Sequence, residues 1–396
     1  MIRWDPTAGA HAIVDLGSRN GSSVDGVALA QLPRFLADNA VIRVGDVLAI
    51  YEARSAPLLD PAEVDRDAIP GEAFAIQDVR AAVARAAVDH NAVLVSGETG
   101  VGKERIAGEL HRLSRRAGPL IVANCSALSG SLIESQLFGH ERGAFTGASA
   151  RSPGLFRAAH RGTLFLDEIG ELSLELQPKL LRAIEYGDIM PVGTTTSVSV
   201  DVRVVAATNR DLAEEVAGGR FRRDLYARLS LWEIRVPPLR LRRRDLLGWL
   251  ARIAAQDGVG THPGLSAAAA EVILGHRWDE NLRGLHRLVL EMRSTTAPVS
   301  RAALPGWLAE PTSASTPAAL EAISTAPMPA PTPVAAAPAG GGGQRPARPR
   351  PSREEFMQAL IDHGWSIRAT ARHFERDRKQ ITRWIEFYAI VVPGRS

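Results

Sequence analysis

A short glycine-rich segment has the residue types that bind phosphate groups. It reads Gly97-Glu-Thr-Gly-Val-Gly-Lys103 and follows the apolar run 92–96, and apolar residues at 106, 110 and 113 indicate a helix after it. In this order of strand, loop and helix, backbone N–H groups converge on phosphate oxygens. Lys103 would reach the β- and γ-phosphates of a nucleotide, whereas a glycine turn that binds nothing is the alternative. The candidate nucleotide-binding residues are Gly97, Glu98, Thr99, Gly100, Val101, Gly102, Lys103 and Glu104, the last standing where the general motif has Ser or Thr.

Two further apolar runs end in polar residues that suit nucleotide hydrolysis. Asp167 and Glu168 close the first, and Thr208 and Asn209 follow the second, which covers 202–206. Asp167 would hold Mg²⁺ directly or through water, and Glu168 would polarise the attacking water. Thr208 and Asn209 would sense a γ-phosphate or orient water, although such pairs elsewhere often close turns. Together with the glycine segment, these residues predict a site for ATP and Mg²⁺.

The pattern of apolar residues predicts the elements that position this site. Short β-branched runs at 92–96, 120–123, 163–166 and 202–206 alternate with helical patterns. Strands alternating with helices are typical of a parallel α/β sheet. After Pro237 and Pro238, residues Leu246, Leu250 and Ile253 share one helical face. A helical subdomain should therefore follow the sheet.

Composition narrows the class of protein. The chain has 396 residues, with 45% hydrophobic and 23% charged, which indicates mostly globular domains. A net charge of +3 is too small to predict a polyanionic partner by itself. Cys125 is the single cysteine, so an intramolecular disulfide is excluded, and a reducing compartment agrees with this. No apolar run approaches the ~18 residues of a membrane span, so we expect a cytoplasmic protein with no membrane partner.

One stretch has the composition of a linker. Residues 311–350 contain nine Pro, four Gly and eleven Ala and have no sustained apolar period. Such a segment cannot bury enough apolar surface to offset the entropy lost on ordering, so we expect it to be disordered. It separates a large body from a short tail, and a weaker break lies near residues 55–68.

A fifteen-residue run starting at Glu134 resembles the central domain of sigma-54-dependent transcriptional activators, which are AAA+ ATPases. The resemblance spans roughly residues 66–308, and Glu after the phosphate-loop lysine is normal in that family. It implies that ATP turnover moves a loop against the sigma-54 factor bound to RNA polymerase. The residues that match the loop's signature are Gly143, Ala144, Phe145, Thr146, Gly147 and Ala148.

The same resemblance implies roles for residues outside the phosphate loop. Asn124 matches an asparagine that restrains the catalytic Glu168 until nucleotide and target are engaged. Arg222 and Arg228 match arginine fingers, which act on a neighbouring subunit's nucleotide and imply a hexamer-like ring of identical chains. Arg283 matches a lid arginine that contacts nucleotide. The family's Pro-Gly before that arginine is Asp279 and Glu280 here, and its following Glu is Gly284.

The two ends of the chain resemble further modules. From residue 345 onward there are eleven Arg or Lys against six Asp or Glu, in a tail that resembles a helix-turn-helix. The residues expected to face enhancer DNA are Arg378, Lys379, Gln380 and Arg383. A three-helix protein-docking module is the alternative. The N-terminus is similar to the second half of a forkhead-associated domain, in which Arg19 and Asn20 are the candidates for binding a phosphothreonine protein.

We therefore expect an α/β fold, an AAA+ P-loop NTPase, with a partial β forkhead-associated-like N-terminus and an all-α C-terminus. The predicted domains are 1–55 (forkhead-associated), 66–308 (66–237 α/β and 238–308 helical lid), 311–350 (linker) and 351–396 (helix-turn-helix). The expected function is a sigma-54-dependent activator that hydrolyses ATP. Two alternatives stay open: a DNA-binding regulator without motor activity, and an AAA+ remodeller of some other protein.

Overall fold

The computed structural model describes residues 1–53, 60–127, 130–257, 264–293 and 298–309, and seven residues between 356 and 381. The chain divides into two compact units, Met1–Glu321 and Ala322–Ser396. In the second unit, the described residues include Phe356, Ala359, Ala371 and Ile381, which are helical and buried. The predicted linker and the four residues assigned to DNA contact lie outside the described residues.

Two small antiparallel sheets form the N-terminal part of the first unit. Their strand orders are β1-β2-β5 and β4-β3-β6-β7. Ile13, Val24 and Ile42 are buried in the core that they share. The assignment to a forkhead-associated domain stays a prediction. The strands are β1 Ile2–Asp5, β2 Ala10–Ile13, β3 Ser22–Val24, β4 Val27–Ala28, β5 Arg34–Phe35, β6 Ala40–Val44 and β7 Val47–Tyr51.

A parallel sheet of five strands forms the centre of this unit, as the alternating pattern predicted. The order is β14-β8-β13-β10-β9, so each predicted strand is present and a fifth strand, which was not predicted, forms one edge. A short antiparallel pair, β11 and β12, lies outside the sheet. The strands are β8 Val93–Ser96, β9 Leu120–Asn124, β10 Thr163–Asp167, β11 Asp188–Ile189, β12 Val198–Ser199, β13 Arg203–Thr208 and β14 Trp232–Arg235.

Helices cover both faces of the central sheet. Successive strand residues point to opposite faces, so Leu164 and Leu166 belong to one core and Phe165 to the other. The Phe165 core includes residues of α1 and α2, and the Leu164 core includes residues of α3 to α7. These helices are α1 Phe74–Ala87, α2 Lys103–Ser114, α3 Gly130–Phe138, α4 Gly154–Ala158, α5 Gln177–Tyr186, α6 Leu212–Ala217 and α7 Arg223–Leu229.

A helical subdomain follows the sheet, as predicted. Leu246, Leu250 and Ile253 are buried in its core, and Val41 of β6 enters the same core from the N-terminal part. Within the described ranges, no helix is both long enough and apolar enough to cross a bilayer. The helices of this lid are α8 Leu246–Gln256, α9 Ala267–Gly275, α10 Leu282–Glu291 and α11 Gly306–Ala309.

Candidate functional site

The glycine segment forms the turn between β8 and α2, as the sequence predicted. Gly102 precedes the helix with φ of 101°, a left-handed conformation that favours glycine. Lys103 is the first helical residue and is 7% exposed. Its Nζ donates to the carbonyl oxygens of Gly97 at 2.9 Å and Glu98 at 3.3 Å. The lysine thus folds back over the loop, where its ammonium group can meet a phosphate.

The acid pair lies beside this lysine. Asp167 ends β10, and its Oδ1 accepts from the backbone N–H of Glu168 at 3.0 Å. Glu168 has φ of 52°, an uncommon value for a residue with a side chain, and its Oε1 lies 3.9 Å from Lys103 Nζ. Burial lowers the pKa of Lys103, while the two acids oppose that shift. An ammonium group and two carboxylates therefore share one small space.

The end of β13 brings the predicted polar pair to the same place. Asn209 Nδ2 donates to Thr99 Oγ1 at 3.1 Å, and its backbone N–H donates to Glu168 Oε2 at 3.3 Å. The backbone N–H of Gly97 donates to the carbonyl of Thr208, whose side chain is buried. Asn209 therefore contacts both the phosphate loop and the acid expected to polarise water.

Asn124 lies on the neighbouring strand, in register with Asp167. Its Oδ1 accepts from the backbone N–H of Ser126 at 2.8 Å and from the Ser126 hydroxyl at 2.7 Å. The hydrogen bonds recorded among the described residues do not join it to Glu168, so that restraint stays a prediction. Cys125 is buried, and burial raises the pKa of its thiol to about 12, which fits a small packing residue.

The lid contacts the phosphate loop through a residue that the sequence reasoning missed. Asn281 is fully buried; its Nδ2 donates to Glu98 Oε2 at 3.2 Å and to the Thr99 carbonyl at 3.1 Å. The backbone N–H of Leu282 donates to the Gly100 carbonyl at 3.1 Å. The family's lid motif has an asparagine at the position of Asn281, but the sequence analysis assigned a role only to Arg283.

The lid contacts the phosphate loop even though its motif differs from that of the family at Asp279, Glu280 and Gly284. Asp279 and Glu280 form the turn before α10, and the Glu280 carbonyl lies 2.5 Å from where a Cβ on Gly100 would be. Gly284 lies against the ring of Trp278. Arg283 is exposed, and its Cγ is 3.5 Å from the same Cβ position on Gly100. The structure therefore brings the predicted lid arginine close to the phosphate loop.

Arg240 is a second residue that the sequence reasoning left unassigned. Its guanidinium donates to the two Glu98 carboxylate oxygens at 2.8 Å and 2.5 Å. The hydrogen bond from Arg240 is the main cause that lowers the pKa of Glu98. An acid inside an anion-binding loop needs a nearby cation, so the basic run after Pro238 was the available signal. Gly97, Glu98, Thr208, Asn209 and Arg240 also line an open cavity of about 410 Å³.

The predicted sigma-54 contact residues, 143–148, form a tight loop between α3 and α4. The backbone N–H of Gly143 donates to the Ala148 carbonyl at 2.9 Å, and that of Ala148 donates to the Phe145 carbonyl at 3.0 Å. Phe145 is 37% exposed, and its ring lies edge-on to His140 with centroids 5.0 Å apart. Thr146 is exposed. The loop therefore presents one aromatic ring and one hydroxyl at the surface.

The two predicted arginine fingers lie at helix α7. Arg222 immediately precedes the helix, and Arg228 is within it. Arg222 is exposed and forms an ion pair with Asp224 at 2.7 Å. Arg228 is partly buried, and its Nε has no hydrogen-bond partner among the described residues. Arg19 and Asn20 are exposed at the N-terminal sheets. None of these four has a recorded hydrogen bond or ion pair to Lys103, Asp167 or Glu168.

Comparison with known proteins agrees with this geometry. Residues 69–235 match the Sigma-54 interaction domain. The chain is 43% identical over 234 residues to UacR of Escherichia coli K12, a putative uric acid sigma-54-dependent transcriptional regulator, covering 58% of this chain and 40% of UacR. It is 52% identical over 213 residues to NorR of Citrobacter koseri, an anaerobic nitric oxide reductase transcription regulator, covering 52% and 42%. The chain thus spans about two fifths of each relative.

A solved structure has a similar fold. The crystal structure of NtrX from Brucella abortus in complex with ATP superposes with a TM-score of 0.55 at 26% identity, covering 81% of this chain and 69% of NtrX. A second NtrX structure gives the same TM-score at 27% identity, covering 82% and 70%. The phosphate loop, the acid pair and the loop at Phe145 all lie within residues 69–235, which match the Sigma-54 interaction domain. Residues 69–235 thus match a domain whose known members are ATPases of the AAA+ class.

Proposed function

We propose that this chain is a sigma-54-dependent transcriptional activator that hydrolyses ATP to remodel sigma-54 RNA polymerase holoenzyme. The observation that carries the proposal is the convergence of Lys103, Glu168, Asn209 and Thr99 at one edge of the sheet. Because these four side chains come from three separate segments, they meet only when the central sheet is folded. They lie in the domain that also holds the intact loop 143–148.

The residues at this edge suit ATP and Mg²⁺. The N-terminus of α2 and Lys103 would bind the β- and γ-phosphates. Mg²⁺ in phosphoryl-transfer sites is usually bound by one or two carboxylates together with substrate phosphates. Asp167 would hold the Mg²⁺, which when bound neutralises charge on the transferred phosphoryl group. Glu168 would orient and polarise the attacking water.

Phe145 and Thr146 would contact sigma-54. Phe145 lies on a short loop, is 37% exposed and contacts His140 edge-on, and it is not a member of the described hydrophobic cores, so we expect it to be able to move. Movement in the helices on either side of the loop would change its exposure. In this way ATP hydrolysis would drive movement of the loop against sigma-54.

The remaining steps of the proposed activity need other copies and other domains. Arg222 and Arg228 would act on the nucleotide of a neighbouring subunit in a hexamer-like ring. Arg378, Lys379, Gln380 and Arg383 would contact enhancer DNA, and ring assembly would strengthen that binding through effective concentration. Arg19 and Asn20 would bind a phosphothreonine protein, and the activity would be cytoplasmic.

A regulator without motor activity is the second candidate, because of Asp279, Glu280 and Gly284. The bonds that Asn281 and Leu282 make to the phosphate loop favour a working lid instead. A phosphate-release assay separates the two candidates. We expect the purified chain to hydrolyse ATP with Mg²⁺, and an inert oligomer would favour the non-enzymatic regulator.

The partner is tested with Thr146→Ala in full-length protein. Thr146 is exposed and has no role in the nucleotide site, so the variant should keep ATP hydrolysis and lose transcription activation from a sigma-54 promoter. Full activation by this variant would remove the basis for the sigma-54 assignment. Binding of sigma-54 in the presence of a transition-state nucleotide analogue should also fall.

A further inference from the structure

The segment 238–245 connects the central sheet to the lid, and two of its arginines hold the phosphate loop. Arg240 binds the Glu98 carboxylate through both terminal nitrogens. Arg242 is fully buried and donates from Nη2 to the Val101 carbonyl at 3.1 Å. The segment therefore touches the loop at a side chain and at the backbone.

The next two arginines point to the N-terminal sheets. Arg243 Nη1 donates to Asp25 Oδ1 at 2.7 Å and to the Asn39 carbonyl at 3.0 Å. Arg244 Nη1 donates to Glu52 Oε2 at 3.1 Å, and Glu52 Oε1 accepts from the first N–H of α1 at 2.9 Å. One short segment is thus bound to the phosphate loop on one side and to the N-terminal part on the other.

The N-terminal sheets also pack on the lid itself. Glu271 of α9 accepts from Arg43 at 2.9 Å and from the Ser23 hydroxyl at 2.7 Å. Val41 lies in the lid core, with Leu48 and Ile50 packed against that core. The contact between the N-terminal sheets and the lid therefore combines apolar burial with the Arg43–Glu271 ion pair.

The charge of Glu98 gives this arrangement a consequence for nucleotide binding. Glu98 lies within the loop that would hold phosphates, so an unpaired carboxylate there would repel the nucleotide. Arg240 neutralises that charge. Arg240 and Arg243 lie in two consecutive 3-10 turns, Leu239–Leu241 and Arg243–Asp245, which backbone hydrogen bonds join through Arg242, so displacing Arg243 can move Arg240 away from Glu98.

We propose that Arg240 is a positioning residue for the phosphate loop, and that the N-terminal sheets, through Asp25 and Glu52, set nucleotide affinity by holding the segment 238–245. The proposal deepens the proposed function, because it rests on ATP binding at Lys103. The role of Arg240 concerns ATP binding and depends on neither ATP hydrolysis nor sigma-54. This inference and the proposed function can therefore fail separately.

The first test uses full-length protein and a fluorescent ATP analogue, with the dissociation constant as the readout. Asp25→Asn combined with Glu52→Gln removes both charges that face Arg243 and Arg244. At position 25 the new amide can keep the accepting oxygen, whereas at position 52 one of the two accepting oxygens becomes an NH2 group. We expect binding to weaken by about threefold to tenfold, the range of a modest coupling. The matched control is Asp46→Asn, since Asp46 is 97% exposed in the same sheets and forms a long ion pair with Arg43 at 3.9 Å. If the double variant binds like this control, the proposal is overturned.

The second test separates charge from structure. Arg240→Ala should weaken binding by about tenfold because it leaves Glu98 unpaired beside the phosphates. Adding Glu98→Gln removes that charge and should restore most of the affinity. A folded Arg240→Ala protein with unchanged affinity, or no recovery in the double variant, contradicts the role of Arg240. If the parent chain binds ATP but does not hydrolyse it, the proposed function fails while this inference is still tested.

Discussion

At the scale of single residues, Glu168 is the most constrained part of the site. Its positive φ is costly for a residue with a side chain, by about 1 to 3 kcal/mol, and such values persist only where the surroundings impose them. Here the strand before it and the bond from its N–H to Asp167 impose the conformation. The turn aims the carboxylate at Lys103 and Asn209, where an attacking water would lie.

This placement predicts that Glu168→Gln binds ATP and does not hydrolyse it. Gln keeps the acceptor for the Asn209 N–H and fits the same space, but its amide is a much weaker base. We expect the rate of phosphate release to fall by at least about 100-fold while the dissociation constant for ATP changes little. Phosphate release and nucleotide binding measured on one preparation check both halves. A rate close to that of the parent chain would remove Glu168 from its assigned role.

A second residue-scale prediction concerns stability and pH. Asp89 accepts from the indole N–H of Trp232 at 2.9 Å and from Asn91, and these bonds lower the pKa of Asp89 from 3.8 to about 2. The folded state therefore favours the carboxylate, so its contribution is present above pH about 4 and is lost as the pH falls towards 2. Asp89→Asn should destabilise the protein by about 1 kcal/mol at pH 7.

Urea unfolding at several pH values checks this prediction. The gap between the parent chain and Asp89→Asn should be constant from pH 7 to about 5 and should shrink below pH about 4. Asp46→Asn serves as the control, since Asp46 is almost fully exposed and should show no gap at any pH. A gap that stays constant down to pH 3 would mean that the indole bond does not favour the charged form.

At the scale of elements, the close approach of two turns positions the strands that hold the acid pair and Asn124. A Cβ on Gly162, just before β10, would lie 2.0 Å from the Pro119 carbonyl, just before β9. The two backbone segments can approach this closely only because Gly162 has no side chain. Gly108, in the middle of α2, has open space around its Cβ position.

These two glycines predict opposite effects for the same substitution. Gly162→Ala forces the backbones apart and should lower the free energy of unfolding by about 2 kcal/mol or more. Gly108→Ala improves helix propensity and should raise it by about 0.5 to 1 kcal/mol. Thermal or urea unfolding of both variants measures the contrast. Equal effects of the same sign would show that the close approach does not constrain the turns.

The elements also show what the sequence could predict. Runs such as 163–166 are buried on both faces of the sheet, so they read as uninterrupted apolar strands, and the predictions were confirmed. The edge strand β14 alternates Trp232 and Ile234 with Glu233 and Arg235, the pattern of a half-buried strand, which a search for continuous apolar runs does not detect. Likewise, no local pattern predicts that Asn281 and Arg240 meet Glu98, because these contacts join segments more than a hundred residues apart.

At the scale of the whole molecule, the proposed activity depends on contacts between copies of the chain. Arg222 immediately precedes α7 and Arg228 lies on it, and in the described part of the chain neither has a hydrogen bond or ion pair to its own Lys103 or acid pair. In the proposed function, their guanidinium groups act on a neighbour. A finger from another subunit would be worth about 10³-fold or more in rate, so its loss should nearly abolish turnover.

Mixing two inactive variants tests this arrangement. Lys103→Ala lacks a working phosphate loop but keeps its arginines, and Arg228→Ala keeps the loop but lacks one finger. In a random one-to-one mixture, half of the protomers have an intact loop and half of their neighbours supply an intact finger, so about one quarter of the sites should turn over. That fraction does not depend on the number of subunits in the ring. Phosphate release by the mixture, compared with each variant alone, measures this fraction. An inactive mixture at every ratio would show that Arg228 acts within its own chain, and an active Arg228→Ala variant would show that it has no role in turnover.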